Sequence, residues 1–572
     1  MKRDAISFSA LSALWLLLTS LTLYHFHNQF WWGPDEGVYA YVAQRFLAGD
    51  TLHKDLVDIH PGYGNLLNIV AFAVFGEDLL SLRYPLVLLT LLQGVAALWI
   101  LRPHGNLVAF VGACAVTAFS FIQFLNPSAN WHSLAAFFAL ALCLTKLPPG
   151  SAARLLLAGF VVGMAFFTRQ LSGVFLGIGL LAVLLAEAGE QQSDKRIAAV
   201  CLGGVLLLGL ALYVASKGQV FGALWIGIWP LALLAMLTLR ARMDWRDVIK
   251  LATLTGAGFV LAGAPIALFM ATKGAFSPWL YDILFSALVI NNQDFISGSS
   301  YFDIVLLALK NLSQSGLVGI ASGIAWIALL LAFPAVGVLA VARLRSRQQL
   351  SPVAILASVW ACSALHYQIP VYLMFAVAPV MLALLILASR PIVLGGLAAL
   401  SMWAVLFQAA APIDRSLASI VASEPYEAYV DSDLPRVSLR IGEESRTQYA
   451  QIIAAIERKA GRDEPLLTIP MNPEINFMTG RRSPLGYYGT QLGLKTSADV
   501  EAAIAVLDEA APLFVVHRPG DKYLTPLSAD LLKAVQARSG APRQIGQFEL
   551  YRYAGHPVES PPVRLPQTPA ER

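Results

Sequence analysis

The chain has 572 residues, of which 57% are hydrophobic and only 13% charged, and its mean hydropathy is +0.63. Soluble domains carry roughly 25% charged residues, so an ordinary soluble enzyme, a disordered chain and a fibre are all excluded, and a polytopic membrane protein remains. The net charge of +4 gives no footing for nucleic acid. Cys114, Cys143, Cys201 and Cys362 all sit in apolar runs, with no CxxC or Cys/His metal spacing. They read as small buried core residues.

Met1-Lys2-Arg3-Asp4 opens an apolar run to about Tyr24. It resembles a signal peptide, yet no small-residue cleavage site follows, and Trp31-Trp32 closes it like an aromatic anchor. The expectation is an uncleaved first membrane helix. A bilayer core takes about 20 apolar residues per helix. By that measure spans fall near 5–24, 84–102, 107–125, 131–147, 152–168, 172–188, 197–216, 219–239, 248–271, 316–342, 352–368, 370–389 and 391–411, about thirteen. With the N-terminus cytoplasmic, fifteen Lys and Arg fall on the inner side and seven in the outer loops before the tail. That bias is the positive-inside pattern. An odd number of spans then puts the C-terminal region outside, and the Ala, Leu and Arg usage fits a bacterial inner membrane.

Two outer loops are long, 25–83 and 273–311, and loops of that length in a compact protein are usually functional. The second carries Trp279-Leu280-Tyr281-Asp282 and Asn291-Asn292-Gln293-Asp294. After about Pro412 the composition turns polar, with 20 acidic and 18 basic residues from there to the end. The expected division is a transmembrane domain over 1–411, an outer domain over 412–555 and a Pro-rich disordered tail over 556–572. Helical patterns at Thr447–Ala460 and Ala498–Ala510 alternate with strand patterns at Pro465–Ile469, Leu513–His517 and Phe548–Arg552, which predicts a small α/β layer.

The first outer loop gathers the charged chemistry. Pro34 stops the preceding segment, and Asp35 is placed to cap a helix from Glu36 to about Ala48. Val38, Tyr41, Val42 and Phe46 share one face of it, so it is expected in the interface plane. Pro61-Gly62 then break the chain before a second interfacial helix to about Phe75. Asp35, Glu36, Lys54, Asp55, Asp58 and His60 thus crowd beside the lipid surface, where carboxylates are costly and tend to be functional. The plainer alternative makes Asp35 a helix cap and Asp58 a solvated loop acid.

Pro34-Asp35-Glu36-Gly37-Val38-Tyr39, followed by Asp55-Leu56-Val57-Asp58-Ile59-His60-Pro61-Gly62, resembles the start of the GT-C membrane glycosyltransferases. The likeness is to their protein O-mannosyltransferase-like group, which includes the lipid A aminoarabinose transferases. It covers the membrane part well and the tail only in general terms. The resemblance implies a GT-C-like polytopic fold with a small α/β extracytoplasmic domain, a sugar donor linked to polyprenyl phosphate, and transfer on the outer face. The sequence is compatible with that, because no Gly-rich phosphate loop or nucleotide-binding βαβ unit stands among the spans. By its match to the family's first-loop acid, Asp35 is the expected general base, with Glu36 sharing that role, orienting a group or binding a metal. Displacement in one step inverts the anomeric centre.

Cations are needed where charge develops on the leaving phosphate. His60, which stands where relatives carry a basic residue before proline, Arg169, Arg83 and His366 are the candidates. For the long arginine side chains the alternative is interfacial snorkelling. Asp58, Tyr39, Asn130 and Tyr367 are candidates to hold substrate. Relatives often carry an acid in the turn where this chain has Asn126 and Asn130, which weakens a second acid there. No cofactor is required; a divalent cation on Asp35 and Glu36 is compatible with their oxygens, and nothing in the spacing demands one. The acceptor, lipid, glycan or protein, is left open. Competing readings are a polymerase or ligase of lipid-linked glycans, a lipid or solute transporter, and a non-catalytic scaffold. Sparse mid-span charge and the lack of a repeat count against the transporter.

Overall fold

The computed structural model describes residues 7–189, 195–286, 288, 300–314, 316–410, 415–425, 428–461 and 463–555. The expected tail and Asn291–Asp294 lie outside the described residues.

Ten described helices are long and apolar enough to cross a bilayer. Shorter apolar helices at Ala152–Thr168 and Pro352–Leu365, with Ala129–Lys146, occupy the three remaining expected spans. In chain order the first nine helices are α1 (Phe8–Phe26), α2 (Gly33–Leu47), α3 (Tyr63–Phe75), α4 (Tyr84–Leu101), α5 (Asn106–Ala118), α6 (Ala129–Lys146), α7 (Ala152–Thr168), α8 (Gln170–Ala188) and α9 (Ile197–Lys217). The second long loop is largely helical at its edges, with Phe276–Tyr281 on one side and Tyr301–Gln314 on the other. Cys201 departs from the buried-core expectation: it is exposed on α9, beside the exposed Val200, Val205 and Leu208, so it faces lipid.

The outer domain carries a hairpin, β1 (Tyr429–Asp431) with β2 (Arg440–Gly442). Its main sheet has the order β3-β4-β6-β5, formed by Leu466–Ile469, Leu513–His517, Phe548–Tyr553 and Arg543–Ile545. β3 and β4 are parallel and the other two pairings antiparallel. Helices Glu443–Glu457 and Ser497–Ala510 cover it. The first begins four residues before the expected Thr447, because Gly442 is extended and Glu443-Glu444 suit a helix N-terminus.

α2 is not laid on lipid as the sequence suggested, whereas α3 keeps an exposed apolar face of Leu66, Leu67, Val70, Val74 and Phe75. Val38, Tyr41 and Val42 are 7%, 1% and 1% exposed, and join Phe72 and Leu82 in one core with Ile441, Tyr449, Phe477 and Met478 of the outer domain. The apolar face that seemed destined for the interface is covered by protein instead. Burying each such side chain is worth about 1.5–3 kcal/mol. Polar ties fix the same contact: Ser483 N–H donates to Tyr41 Oη at 2.8 Å, Val57 N–H to Gly486 O at 2.7 Å and Arg440 N–H to Asn28 O at 2.7 Å. At Gly37 a methyl group would lie 2.4 Å from the Glu474 backbone nitrogen. The base of the domain therefore meets α2 backbone to backbone.

Candidate active site

α2 starts earlier than expected. Trp32 is its N-cap and Pro34 lies in its first positions, so Asp35 and Glu36 both stand in the first turn and Asp35 is not the cap. A proline there loses nothing, since its missing N–H had no intrahelical partner. Successive helical residues point about 100° apart, and that angle separates the two acids. Glu36, 1% exposed, turns toward the bundle; Asp35 stays half-buried toward the outer domain.

Glu36 meets Arg83, which is 0% exposed. Nε and Nη2 of Arg83 donate to Glu36 Oε1 at 3.1 and 2.6 Å. Its remaining donors reach the carbonyls of His27, Gln29, Phe30 and Leu125, at 3.0, 2.8, 2.6 and 3.0 Å. Arg83 is thus removed from the candidates for the donor phosphate: every nitrogen is committed to protein acceptors. It ties the end of α1, the entry to α2 and the turn before α6 together. Glu36 is equally poor as one half of a metal pair with Asp35, because its carboxylate is held on the far side. Among the described residues no three His, Cys, Asp or Glu side chains gather as a metal site would.

Asp35 Oδ2 accepts from Asn126 Nδ2 at 3.3 Å. Burial raises its carboxyl to about 6, against the opposing pull of Lys522 and His60. Asn126, fully buried, holds its own oxygen on Ser128 N–H at 3.1 Å, so the departure from an acid in this turn supplies a neutral donor to Asp35. Tyr39, one turn on, hydrogen-bonds Ser128 and feels both Asp35 and Asp58. Asn130 caps back on Ser128 Oγ at 3.0 Å and lies at the same turn.

Asp58 is 0% exposed and saturated. Its Oδ1 accepts from Ile59 N–H, His60 N–H and Tyr488 Oη at 2.7, 3.2 and 3.2 Å and contacts His60 Nδ1 at 2.9 Å. Its Oδ2 accepts from Asn65 at 2.5 Å. Burial opposes its ionisation, but the charge and hydrogen bond of His60, then His53 and Asn65, hold its carboxyl well below the usual range. Asp58 is therefore an anchor that aims His60, whose ring lies 5.9 Å from that of Tyr39. The turn itself depends on Gly62, at φ +138°, a conformation that suits glycine.

Arg169 breaks the rod between α7 and α8 with an extended backbone, φ −152° and ψ 114°, which puts it at the junction of the two helices. Its Nη1 donates to Ser172 Oγ at 3.2 Å, and it hydrogen-bonds Tyr372, which in turn feels Asp35. His366, Tyr367 and Tyr372 form an aromatic triad with ring separations of 4.4, 5.5 and 5.1 Å. Burial, then Arg169 and Lys217, keep His366 well below its usual pKa and neutral. Gln170 Nε2 donates to Ile59 O at 2.8 Å and Ile283 O at 3.0 Å, so the two long loops and the Arg169 break are linked. Asp35, Tyr39, His60, Asn130, Arg169, His366 and Tyr367 share one property: all are half-buried. Asp35 interacts electrostatically with Tyr39, His60 and Tyr372, whereas Glu36, Asp58 and Arg83 are fully buried.

Sequence reading missed Asn65 and Tyr488 on Asp58, and Lys522 and Tyr523 near Asp35. Three of the four are in the tail and the fourth, Asn65, is at a helix start, with no motif to mark them. The second loop adds another pair: His53 Nδ1 and Asp282 Oδ2 are 3.0 Å apart, both buried.

No protein-family model matches the chain, and no curated protein does. Among solved structures it is similar to ArnT from Cupriavidus metallidurans. The apo crystal structure covers 95% of this chain and 98% of its own, at 13% identity and a TM-score of 0.45. The structure bound to undecaprenyl phosphate covers 95% and 97%, at 13% identity and a TM-score of 0.40. A likeness this remote assigns no activity.

Proposed function

We propose that the chain is a membrane glycosyltransferase of the GT-C type. It moves a sugar from a polyprenyl-phosphate donor to an acceptor hydroxyl on the outer face of a bacterial inner membrane, with residues 1–411 as the catalytic domain and the N-terminus cytoplasmic. The observation that carries this reading is Asp35, a half-buried carboxyl whose charge reaches His60 and Tyr372, with Arg169 and His366 against Tyr372. The motif resemblance supports the donor class.

The acceptor oxygen attacks the anomeric carbon as its proton passes to Asp35. The bond from that carbon to the phosphate oxygen breaks, the electron pair leaves with polyprenyl phosphate, and the anomeric centre inverts. A carboxyl with its pKa raised toward the working pH is a stronger base than an ordinary aspartate while still ionised. Arg169 meets the charge growing on the phosphate. His60, aimed by Asp58, and neutral His366 supply donors to the same phosphate or to the sugar. Tyr39, Asn130 and Tyr367 border the space left for substrate.

The test is transfer by purified Asp35→Asn in lipid nanodiscs offered labelled polyprenyl-phosphate sugars. Loss of a general base should lower turnover by about 10²–10⁴. A folded variant with wild-type turnover removes Asp35 as the base. For orientation, a single cysteine placed near Thr447 should label only from the outer side.

A further inference from the structure

We propose that Lys522, carried on the C-terminal-domain turn between β4 and the helix Pro526–Ala537, is a positioning residue whose ammonium, held over Trp32 at the start of α2, favours the charged form of the Asp35 carboxylate. The inference rests on the reading of Asp35 as the base and adds that the outer domain completes that base.

The turn is built to hold one place. Gly520 reverses the chain at φ +74°, Asp521 Oδ1 accepts from Tyr523 N–H at 2.9 Å, and Leu524 N–H donates to Asp521 O at 3.1 Å. Lys522 Nζ then lies 5.3 Å from the Tyr523 ring centre and 6.0 Å from that of Trp32. Trp32 is the N-cap of the helix that bears Asp35. An ammonium over aromatic faces is favourable, so the Trp32 ring helps to keep Lys522 over the start of α2. The domain cannot drift from this position, because Gly37 abuts the Glu474 backbone one turn below.

The charges around Asp35 leave this task to Lys522. Glu36 and Tyr39 flank it on its own helix. The α5–α6 turn offers neutral Asn126. The first-loop motif offers His60, already bound to Asp58. The helix Pro370–Leu387 offers Tyr372, backed by Arg169, and the outer domain offers Tyr523 and Lys522. Arg83 is spent on Glu36. Lys522 interacts most strongly with Asp35 among the carboxylates and with Asp521 second. Desolvation pushes Asp35 toward its protonated form; a cation facing it favours the charged form.

The experiment uses the full-length protein in nanodiscs. The Asp35 carboxyl band is assigned by infrared difference against Asp35→Asn, then titrated in wild type, Lys522→Gln and Lys522→Arg beside the pH–turnover profile. Because Lys522 is exposed and screened, Lys522→Gln should raise the Asp35 midpoint and the acidic limb together by roughly half to one pH unit. Turnover at pH 8 should stay within about twofold, and Lys522→Arg should restore both midpoints. A Lys522→Gln midpoint and limb that coincide with wild type overturn the proposal. If instead Asp35→Asn keeps normal turnover while the Lys522→Gln band shifts, the link stands and the base assignment falls.

Discussion

Replacing Arg83 separates a structural clamp from a phosphate-binding residue. Arg83→Gln removes the six hydrogen bonds described above and leaves Glu36 as a buried carboxylate without its cation. Removing one member of a buried pair typically costs about 3–5 kcal/mol, and each orphaned carbonyl adds up to about 1–3 kcal/mol where water cannot reach it. These terms overlap, so the lower figure is the safer expectation, still a large part of a typical stability of about 5–15 kcal/mol. Arg83→Gln should therefore yield little folded protein, and Arg83→Lys, with three donors, should melt several degrees below wild type. Glu36→Gln should be milder, because its amide oxygen still accepts from Arg83. The assay is thermal unfolding in detergent followed by tryptophan fluorescence, paired with the KM for a polyprenyl-phosphate sugar. The clamp predicts a lower melting temperature with an unchanged donor KM in whatever protein folds. Wild-type melting with a strongly raised donor KM refutes it.

Other expectations follow from the same geometry. A base must be ionised to act, and burial raises Asp35 to about 6, so turnover should fall as the pH drops through 6 and not hold until pH 4; a profile flat to pH 4.5 contradicts this. Asp58 has the opposite shift, so the stability it contributes is complete above the carboxyl's unfolded pKa of about 3.9. That contribution disappears only as strong acid approaches its depressed folded value. Melting curves of wild type and Asp58→Asn should therefore differ from pH 8 down to pH 5 and converge only below pH 4. Gly37→Ala must force α2 away from Glu474, at about 1–3 kcal/mol, and should speed protease digestion of the C-terminal domain; unaltered digestion argues against the close approach. Tyr488→Phe removes one bond to Asp58 and should cost about 0.5–1.5 kcal/mol, read as a small shift in melting temperature.

The membrane spans were legible because a lipid-crossing helix must be apolar along its whole length; of the thirteen expected, α6, α7 and Pro352–Leu365 fell short in apolarity or length. The acids of the first loop were legible as a group, but their roles were not. Asp35 and Glu36 are neighbours in sequence and diverge in space, because the helix starts at Gly33 and rotates one toward Arg83 and the other toward Asn126. Arg83 reads as an exposed outer cation; the four carbonyls it satisfies come from backbone that no sequence pattern reports. The covered face of α2 was misjudged for a similar reason. A stripe such as Val38, Tyr41 and Val42 states that something apolar must cover it, and lipid and a distant domain satisfy it equally well. Lys522 and Tyr488 lie in the tail at unmarked turns, so only the tertiary contact reveals them.

The separation in sequence between the two sides of that contact has a consequence for biogenesis. Tyr41 and Ser483 are joined across 442 residues, and Asp58 and Tyr488 across 430. During synthesis the first loop emerges early and waits, its apolar stripe bare, while most of the remaining helices are still to be made. Chains that terminate before the last hundred or so residues would insert with a full set of early spans yet leave that stripe unshielded. Such products would be targets for proteases and chaperones, and the buried contact would form only with the final segment of the chain.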